Sequence, residues 1–392
     1  MRLTSEELQK VKDKYGVNEL YSWSKTNTFM TSPYEFYLQY ILHKKPDIDN
    51  CAYAPMGGIC HSIIERFYGN EIKYEDMVDE FEDGWTTAID IADLKFDRND
   101  ETKNENIKNK YKANLTYFFK HHKPIKNKVE LERFLSAKIG DYVLQGYADA
   151  ITKDDDSNFV IIDWKTSTKY SKKALEEHSG QLTVYAIALT QLGVPLNKIR
   201  CAFNFLKYCT VEYEQANGTV KTRDIERFEL GEKLQSNLKV WLKKLGYEDQ
   251  MDDYLKMVID TNGIECLPED VRAKYKISDC YCYIDLNEDL VNKWTDEIIA
   301  TIKDIELRKA DYEETHSENV WWDTDESVKA QSYYFSTLSG YSANLHKPYA
   351  EHLKRLEVDK NGGIFGGSIT VSKSNVIDNK NEELDLSWLD SI

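Results

Sequence analysis

The sequence predicts an α/β fold: a mixed central β-sheet flanked by helices, with a helical insertion and a helical C-terminal region. Three observations carry this. Between residues 129 and 165 three strand-like runs follow one another, VELERFLSAKI, YVLQGYADAIT and FVIIDWKTS, rich in β-branched and aromatic residues. Residues 174–192 then switch to helical spacing, with Leu182, Tyr185, Ala186 and Leu189 apolar, and IRCAFNFLKY returns to a strand. Helical patterns bracket this block on both sides.

The elements follow in order. Residues 1–50 read as helical: Leu8 and Val11 open an apolar stripe, and a second helix starts after Ser32-Pro33, where a proline in the first turn forfeits no helical hydrogen bond. Tyr34, Phe36, Tyr37 and Tyr40 give that helix a heavy aromatic load. A break at Gly57-Gly58 is expected before ICHSIIERFYG, in which Ile59, Ile63 and Phe67 share a helical face. Residues 71–100 are acidic, whereas 101–128 hold eight lysines against Glu101 and Glu105, a net of +6. Tyr111, Tyr117, Phe118 and Phe119 are interleaved there. That mixture suits a sugar-phosphate backbone with stacked bases, and equally a solvated helix whose rings face the core. Asp154 to Asn158 form the turn between the second and third strands, and EYEQANGTVKTRDI carries an Asn-Gly hairpin signal. Residues 231–245 and 289–310 are long helical candidates. The expected organisation is a helical segment at 1–56, a core at 57–215 with an insertion at about 71–125, a mostly helical wrap at 216–350 and a flexible acidic tail at 376–392.

With 392 residues, 41% hydrophobic and 12% aromatic, the chain has enough apolar material for a sizeable core. A net charge of −17 excludes a histone-like or cationic membrane-surface protein but leaves room for a local basic groove. The sequence has no run of 18 apolar residues and no apolar signal core at its start, so a soluble, cytoplasmic protein without a membrane partner is expected. Seven cysteines at irregular spacing read as idle thiols in a reducing compartment, and Cys280-Tyr-Cys282 is too tight for the usual zinc knuckle.

The chemistry centres on Gly146-Tyr-Ala-Asp149 and Ile161-Ile162-Asp163-Trp164-Lys165. Each lies at the end of a predicted strand, and a hairpin would bring Asp149 and Asp163 together at one sheet edge. Two carboxylates so placed repel and call for a cation, and hard oxygen donors suit Mg²⁺ or Mn²⁺. Alternation puts Asp163 and Lys165 on one face and Trp164 on the other. Two acids and a lysine about a divalent ion make a phosphodiester-hydrolysis site. A lone D-x-K is more often a salt bridge on a strand edge.

This D-x-K is not alone. Four segments in order resemble the RecB-type branch of the PD-(D/E)xK nuclease superfamily over roughly residues 20–210. SWSKTNTFMTSPYEFYLQYI (22–41) is similar to that branch's N-terminal helix signature, and GGICHSIIERF (57–67) to its G-x-x-x-H helix. GYAD with DWK is the third match. Gln181-Leu-Thr-Val-Tyr185, similar to the Q-x-x-x-Y helix, is the fourth, with a weaker echo at WTDEIIATIKDIELRKA (294–310). The resemblance implies a restriction-endonuclease-like core. It implies metal ligation by His61, Asp149, Asp163 and the Trp164 carbonyl, a catalytic Lys165, and Gln181 and Tyr185 lining the site. Glu130 or Glu132 is a further acidic member, alternation leaving both open, and Glu65 a weaker one. Many relatives hold an iron–sulfur cluster through a cysteine before the N-terminal proline and three more near the C-terminus. Here Ser32 takes the first position and YYFSTLSGYSANLHKPY (333–349) offers no thiol, so no iron–sulfur cluster is expected.

The resemblance implies a DNA exonuclease serving recombination, repair or phage DNA metabolism, in a host cytoplasm if viral. An endonuclease or flap nuclease with the same site, a non-catalytic DNA-binding scaffold, and a metal-dependent hydrolase of another substrate stay open. Lys169, Lys172, Lys173, Lys120 and Lys123 are the candidate DNA contacts. The acidic tail, with Trp388 and Leu389, is a candidate dock for a recombination or replication protein.

Overall fold

The computed structural model describes residues 2–322 and 338–341. The expected tail at 376–392 and most of 333–349 lie outside them. Among the described residues six strands form one mixed sheet: β1 (Glu130–Ile139), β2 (Tyr142–Lys153), β3 (Phe159–Lys165), β4 (Ile199–Glu214), β5 (Val220–Glu226) and β6 (Tyr275–Tyr283). Strands β1, β2 and β3 are an antiparallel meander. Its second turn closes as the acidic stretch predicts: Asp154 Oδ1 accepts the Asp156 and Asn158 amides at 3.0 and 2.9 Å, an Asx-type turn. Strand β4 lies parallel to β3, so the chain must cross over, which it does through α7 (Lys172–Glu177) and α8 (Gly180–Gln191).

Strand β4 is long enough to serve three neighbours. Its first half pairs with β3 and its second half with β5, while β6 runs along both halves. The β4–β6 register is irregular between Asn204 and Cys209, where β3 hands over to β5. The β4–β5 hairpin turns at Asn217-Gly218, with Gly218 at φ +81, the backbone region that favours glycine. Two strands of the sheet thus come from the stretch expected to be a mostly helical wrap, and β6 has no counterpart in the sequence reading.

Helices cover both faces. On one side lie α2 (Trp23–Thr31), α3 (Pro33–Phe36), α8 and α12 (Glu288–Thr315), after α1 (Ser5–Tyr15) has led the chain in. Ser32 caps α3 by accepting the Glu35 amide at 3.2 Å, with Pro33 in its first turn. On the other side lie α4 (Tyr53–Tyr68), α5 (Met77–Trp85) and α6 (Glu101–His121). A third apolar cluster joins β4, β5 and β6 to α9 (Leu230–Lys244), α10 (Met251–Thr261) and α11 (Glu269–Arg272). One expectation needs correction. Helix α4 runs unbroken through Gly57-Gly58, because helical hydrogen bonding on both sides of the pair outweighs the roughly 1 kcal/mol that each glycine costs. Of the two readings left open for 101–128, the core-facing one holds for the rings: Tyr111, Tyr117, Phe118 and Phe119 are buried. Lys103, Lys108, Lys112 and Lys128 of the same stretch are ion-paired, to Asp97, Glu105, Glu82 and Glu130.

Candidate active site

The β2–β3 ladder runs from Lys153↔Phe159 to Ala150↔Ile162, one step short of Asp149 and Asp163. There the backbone pairing gives way to side chains. The Trp164 amide donates to Asp149 Oδ2 at 3.1 Å. Helix α4, whose Ile63, Ile64 and Cys60 are buried in the core, brings His61 to the same point. His61 Nε2 donates to the Trp164 carbonyl at 2.8 Å, and its Nδ1 stands 3.6 Å from Asp149 Oδ2. Asp163 is buried, and Lys165 Nζ lies 2.6 Å from its Oδ2. Sequence-predicted His61, Asp149, Asp163, Trp164 and Lys165 are thus brought together.

The electrostatics are those of a site short of positive charge. Burial first, and the Asp163 carboxylate second, push Asp149 well above the usual carboxylate range. Burial pulls Lys165 down, but the ion pair with Asp163 outweighs it and leaves the ammonium above its ordinary value. One lysine does not neutralise two buried acids. An imidazole, two carboxylates and a peptide carbonyl are donors that fit a divalent cation such as Mg²⁺ or Mn²⁺.

Beside this cluster opens a cleft of about 450 Å³ lined by Arg2, Gly58, His61, Ser62, Glu65 and Glu132. Glu132 is in the left-handed region at φ +45, a strained conformation for a non-glycine residue, and faces the cleft. Glu130 is instead held by Lys128 at 2.9 Å. The structure therefore separates the two glutamates that alternation left equivalent. Glu65 is pushed up by burial and by Glu132, so a second group of acids flanks His61. Arg2 escaped the sequence reading: it lies 59 positions from His61 and belongs to no motif.

Gln181 and Tyr185 sit on α8, against the other side of β2. Tyr185 is buried, and its hydroxyl donates to the Tyr147 carbonyl at 2.8 Å while accepting from Gln181 Nε2 at 3.3 Å. The tyrosine hydroxyl is thus engaged by the protein's own backbone. Gly146 makes this possible: a Cβ there would stand 2.7 Å from that hydroxyl. At the start of the same helix, a Cβ on Gly180 would stand 1.9 Å from the Trp23 ring. The N-terminal signature and the Gln181 helix are therefore in direct contact.

Beneath Trp164 is a buried relay that no motif announced. The Tyr68 ring stacks on Trp164 with centroids 6.2 Å apart, and the Tyr68 hydroxyl meets His122 Nε2 at 3.0 Å. His122 Nδ1 meets Asp279 Oδ2 at 2.9 Å, and Arg227 Nη2 donates to Asp279 Oδ1 at 2.7 Å. The candidate DNA contacts are dispersed. Lys169 Nζ is 2.6 Å from Asp224 Oδ2, so its charge is shared with an acid of β5. Lys173 pairs with Glu177 at 3.3 Å across one helical turn, and Lys172 is exposed at the start of α7. Lys120 closes the exposed end of α6, and the Lys123 amide is bound by Asp279.

The profile of the PD-(D/E)XK nuclease superfamily matches residues 21–282, which span every residue of the cluster. A search of curated proteins returned no match.

Proposed function

The chain belongs to the PD-(D/E)XK nuclease superfamily, and from that premise we propose that it is a metal-dependent exonuclease of the RecB-type branch, acting on DNA ends. One observation carries the catalytic part: His61, Asp149, Asp163, the Trp164 carbonyl and Lys165 converge where the β2–β3 ladder stops. The preference for ends rests on the four ordered segments that resemble that branch.

His61, Asp149, Asp163 and the Trp164 carbonyl would hold a Mg²⁺ or Mn²⁺ ion. When bound, the ion supplies a Lewis acid and a positive centre beside the scissile phosphate. Lys165 keeps its proton at neutral pH and presents it to the attacking water or to a non-bridging phosphate oxygen, with Asp163 fixing its direction. Tyr185 and Gln181 act as positioning residues, because the Tyr185–Tyr147 bond holds the stretch of β2 from which Asp149 projects. Glu132 and Glu65 line the cleft and add negative charge that favours cation entry.

The test is a time course on end-labelled linear DNA and on closed circular DNA, with Mg²⁺, Mn²⁺ or EDTA. Progressive loss of linear DNA, with the circle intact and no reaction in EDTA, is the expected result. Linearisation of the circle would make the protein an endonuclease with the same chemistry. No hydrolysis of either with any divalent ion would remove the catalytic reading.

A further inference from the structure

We propose that Cys280, Cys282 and Asp224 form a second metal site, independent of the acidic cluster, for a thiophilic divalent cation such as Zn²⁺. The two cysteines are two apart on β6 and point to the same side of the strand, their sulfurs 4.0 Å from each other. Asp224 comes from β5, across β4, and its carboxylate and both sulfurs lie within 4.8 Å of one another. At a Zn–S distance of about 2.3 Å, a tetrahedral angle sets two sulfurs about 3.8 Å apart, so the pair is already near chelating separation. The spacing that disqualifies Cys280 and Cys282 as a zinc knuckle is overcome because a third donor arrives from another strand.

The surroundings fit a metal better than an accident of packing. Thr210 Oγ1 donates to Asp224 Oδ1 at 2.6 Å and fixes the carboxylate, as an outer partner of a ligand does. Lys169 lies 2.6 Å from Asp224 Oδ2. Two thiolates and a carboxylate around a divalent ion carry one net negative charge, and Lys169 cancels it. Cys280 is buried whereas Cys282 and Asp224 are half-buried, which leaves one side open for entry and for water as a fourth ligand.

The position gives the site a consequence. It occupies the handover on β4 between β3 and β5, and Lys169 is four residues beyond Lys165. A filled site would pin β5, β6 and the loop 166–171 together next to the catalytic lysine.

The full-length protein, reduced and stripped with EDTA, is titrated with Co²⁺ and then with Zn²⁺. A thiolate-to-cobalt charge-transfer band saturating at one equivalent, bleached by Zn²⁺, is expected. The band should persist in the Asp149→Ala/Asp163→Ala double variant. Cys282→Ser should lose most of it, and Asp224→Asn should weaken binding at least tenfold while keeping sulfur ligation. No band in the unaltered protein would overturn the proposal. So would a band untouched by Cys282→Ser, or one that vanishes with the two catalytic aspartates. If Cys282→Ser fails to fold, the unaltered protein and Asp224→Asn still decide: equal Co²⁺ affinity in the two rules the site out.

Discussion

Asp149 does two jobs at once, and substitution separates them. As a carboxylate it faces His61 and Asp163; as a hydrogen-bond acceptor it holds the Trp164 amide. Asp149→Asn keeps an oxygen for that amide but removes the charge, so hydrolysis should fall by more than about a hundredfold with the melting temperature preserved. Gel-based turnover and calorimetry check the two halves, and Asp163→Ala should be equally inactive. Gly146→Ala tests a different link. Its methyl group would meet the Tyr185 hydroxyl at 2.7 Å, and overpacking of this kind costs about 1–3 kcal/mol. In a Tyr185→Phe background the same change should cost less, which denaturant titration of the four proteins would read as a coupling energy. His61, Asp149, Asp163 and Lys165 were legible in the sequence because each sits at a fixed offset in a recognisable segment. Glu132 was not separable from Glu130, because side-chain alternation cannot show a left-handed residue inside a strand. The ion pair of Lys169 was hidden for a related reason: its partner is 55 positions away.

At the scale of elements, the meander β1–β3 and helix α8 could be read from periodicity, since each buries one face or both with local apolar residues. Strand β6 could not. Its residues Ser278, Asp279, Cys280, Tyr281 and Cys282 mix polar and apolar groups without alternation, and its only reason to be a strand is β4, about 70 positions earlier. Asp279 is what holds it. The carboxylate takes His122, the Lys123 amide and Arg227, tying β6 to the end of α6. Asp279→Ala leaves Arg227 buried without a counter-charge and should cost about 3–5 kcal/mol. The pH dependence follows from its shift. Burial raises the carboxyl, but the His122 bond and the Arg227 charge outweigh it and hold the group below its ordinary value. Its contribution is therefore complete above the unfolded-state value of about 3.9, and is lost as pH falls through the lower folded value. Urea titrations of the unaltered protein and Asp279→Ala should differ most near neutrality and converge in acid.

Over the whole molecule, 68 acidic residues against 51 basic ones make long-range attraction to DNA unfavourable, so binding depends on short-range contacts. The basic stretch 101–128 contributes less than its +6 suggests, because three of its lysines neutralise acids outside it, Asp97, Glu82 and Glu130. Lys172 and Lys173, at the exposed start of α7 just past Lys165, are the better placed pair. Lys172→Glu/Lys173→Glu should weaken binding and flatten the log–log salt dependence by up to about two units. Filter binding at several salt concentrations in EDTA measures this without hydrolysis. Lys169→Glu should instead disturb folding near Asp224, since it replaces an ion pair with a repulsion.

The segment 338–341 has a bearing on when the enzyme comes into being. Ser339 Oγ donates to Glu35, 304 positions away, and the Asp47 and Ile48 amides donate to the Gly340 carbonyl. Trp294 meets Trp23 edge to face and donates to Ser179 at the head of α8. The helices α2 and α3 thus rest on β2 and α8 and take the rest of their cover from α12 and residues 338–341. Contacts of such separation are formed late, because a long loop must close before they gain anything. A nascent chain released at residue 286 would have all six strands and the whole acidic cluster, yet its Tyr21–Leu38 helices would lack a roof. It should appear in pulse proteolysis as a loose, readily cut species without hydrolytic activity. The order of synthesis then acts as a timer: every catalytic group precedes α12 (Glu288–Thr315) in the chain, and cutting should wait until that helix has closed over α2.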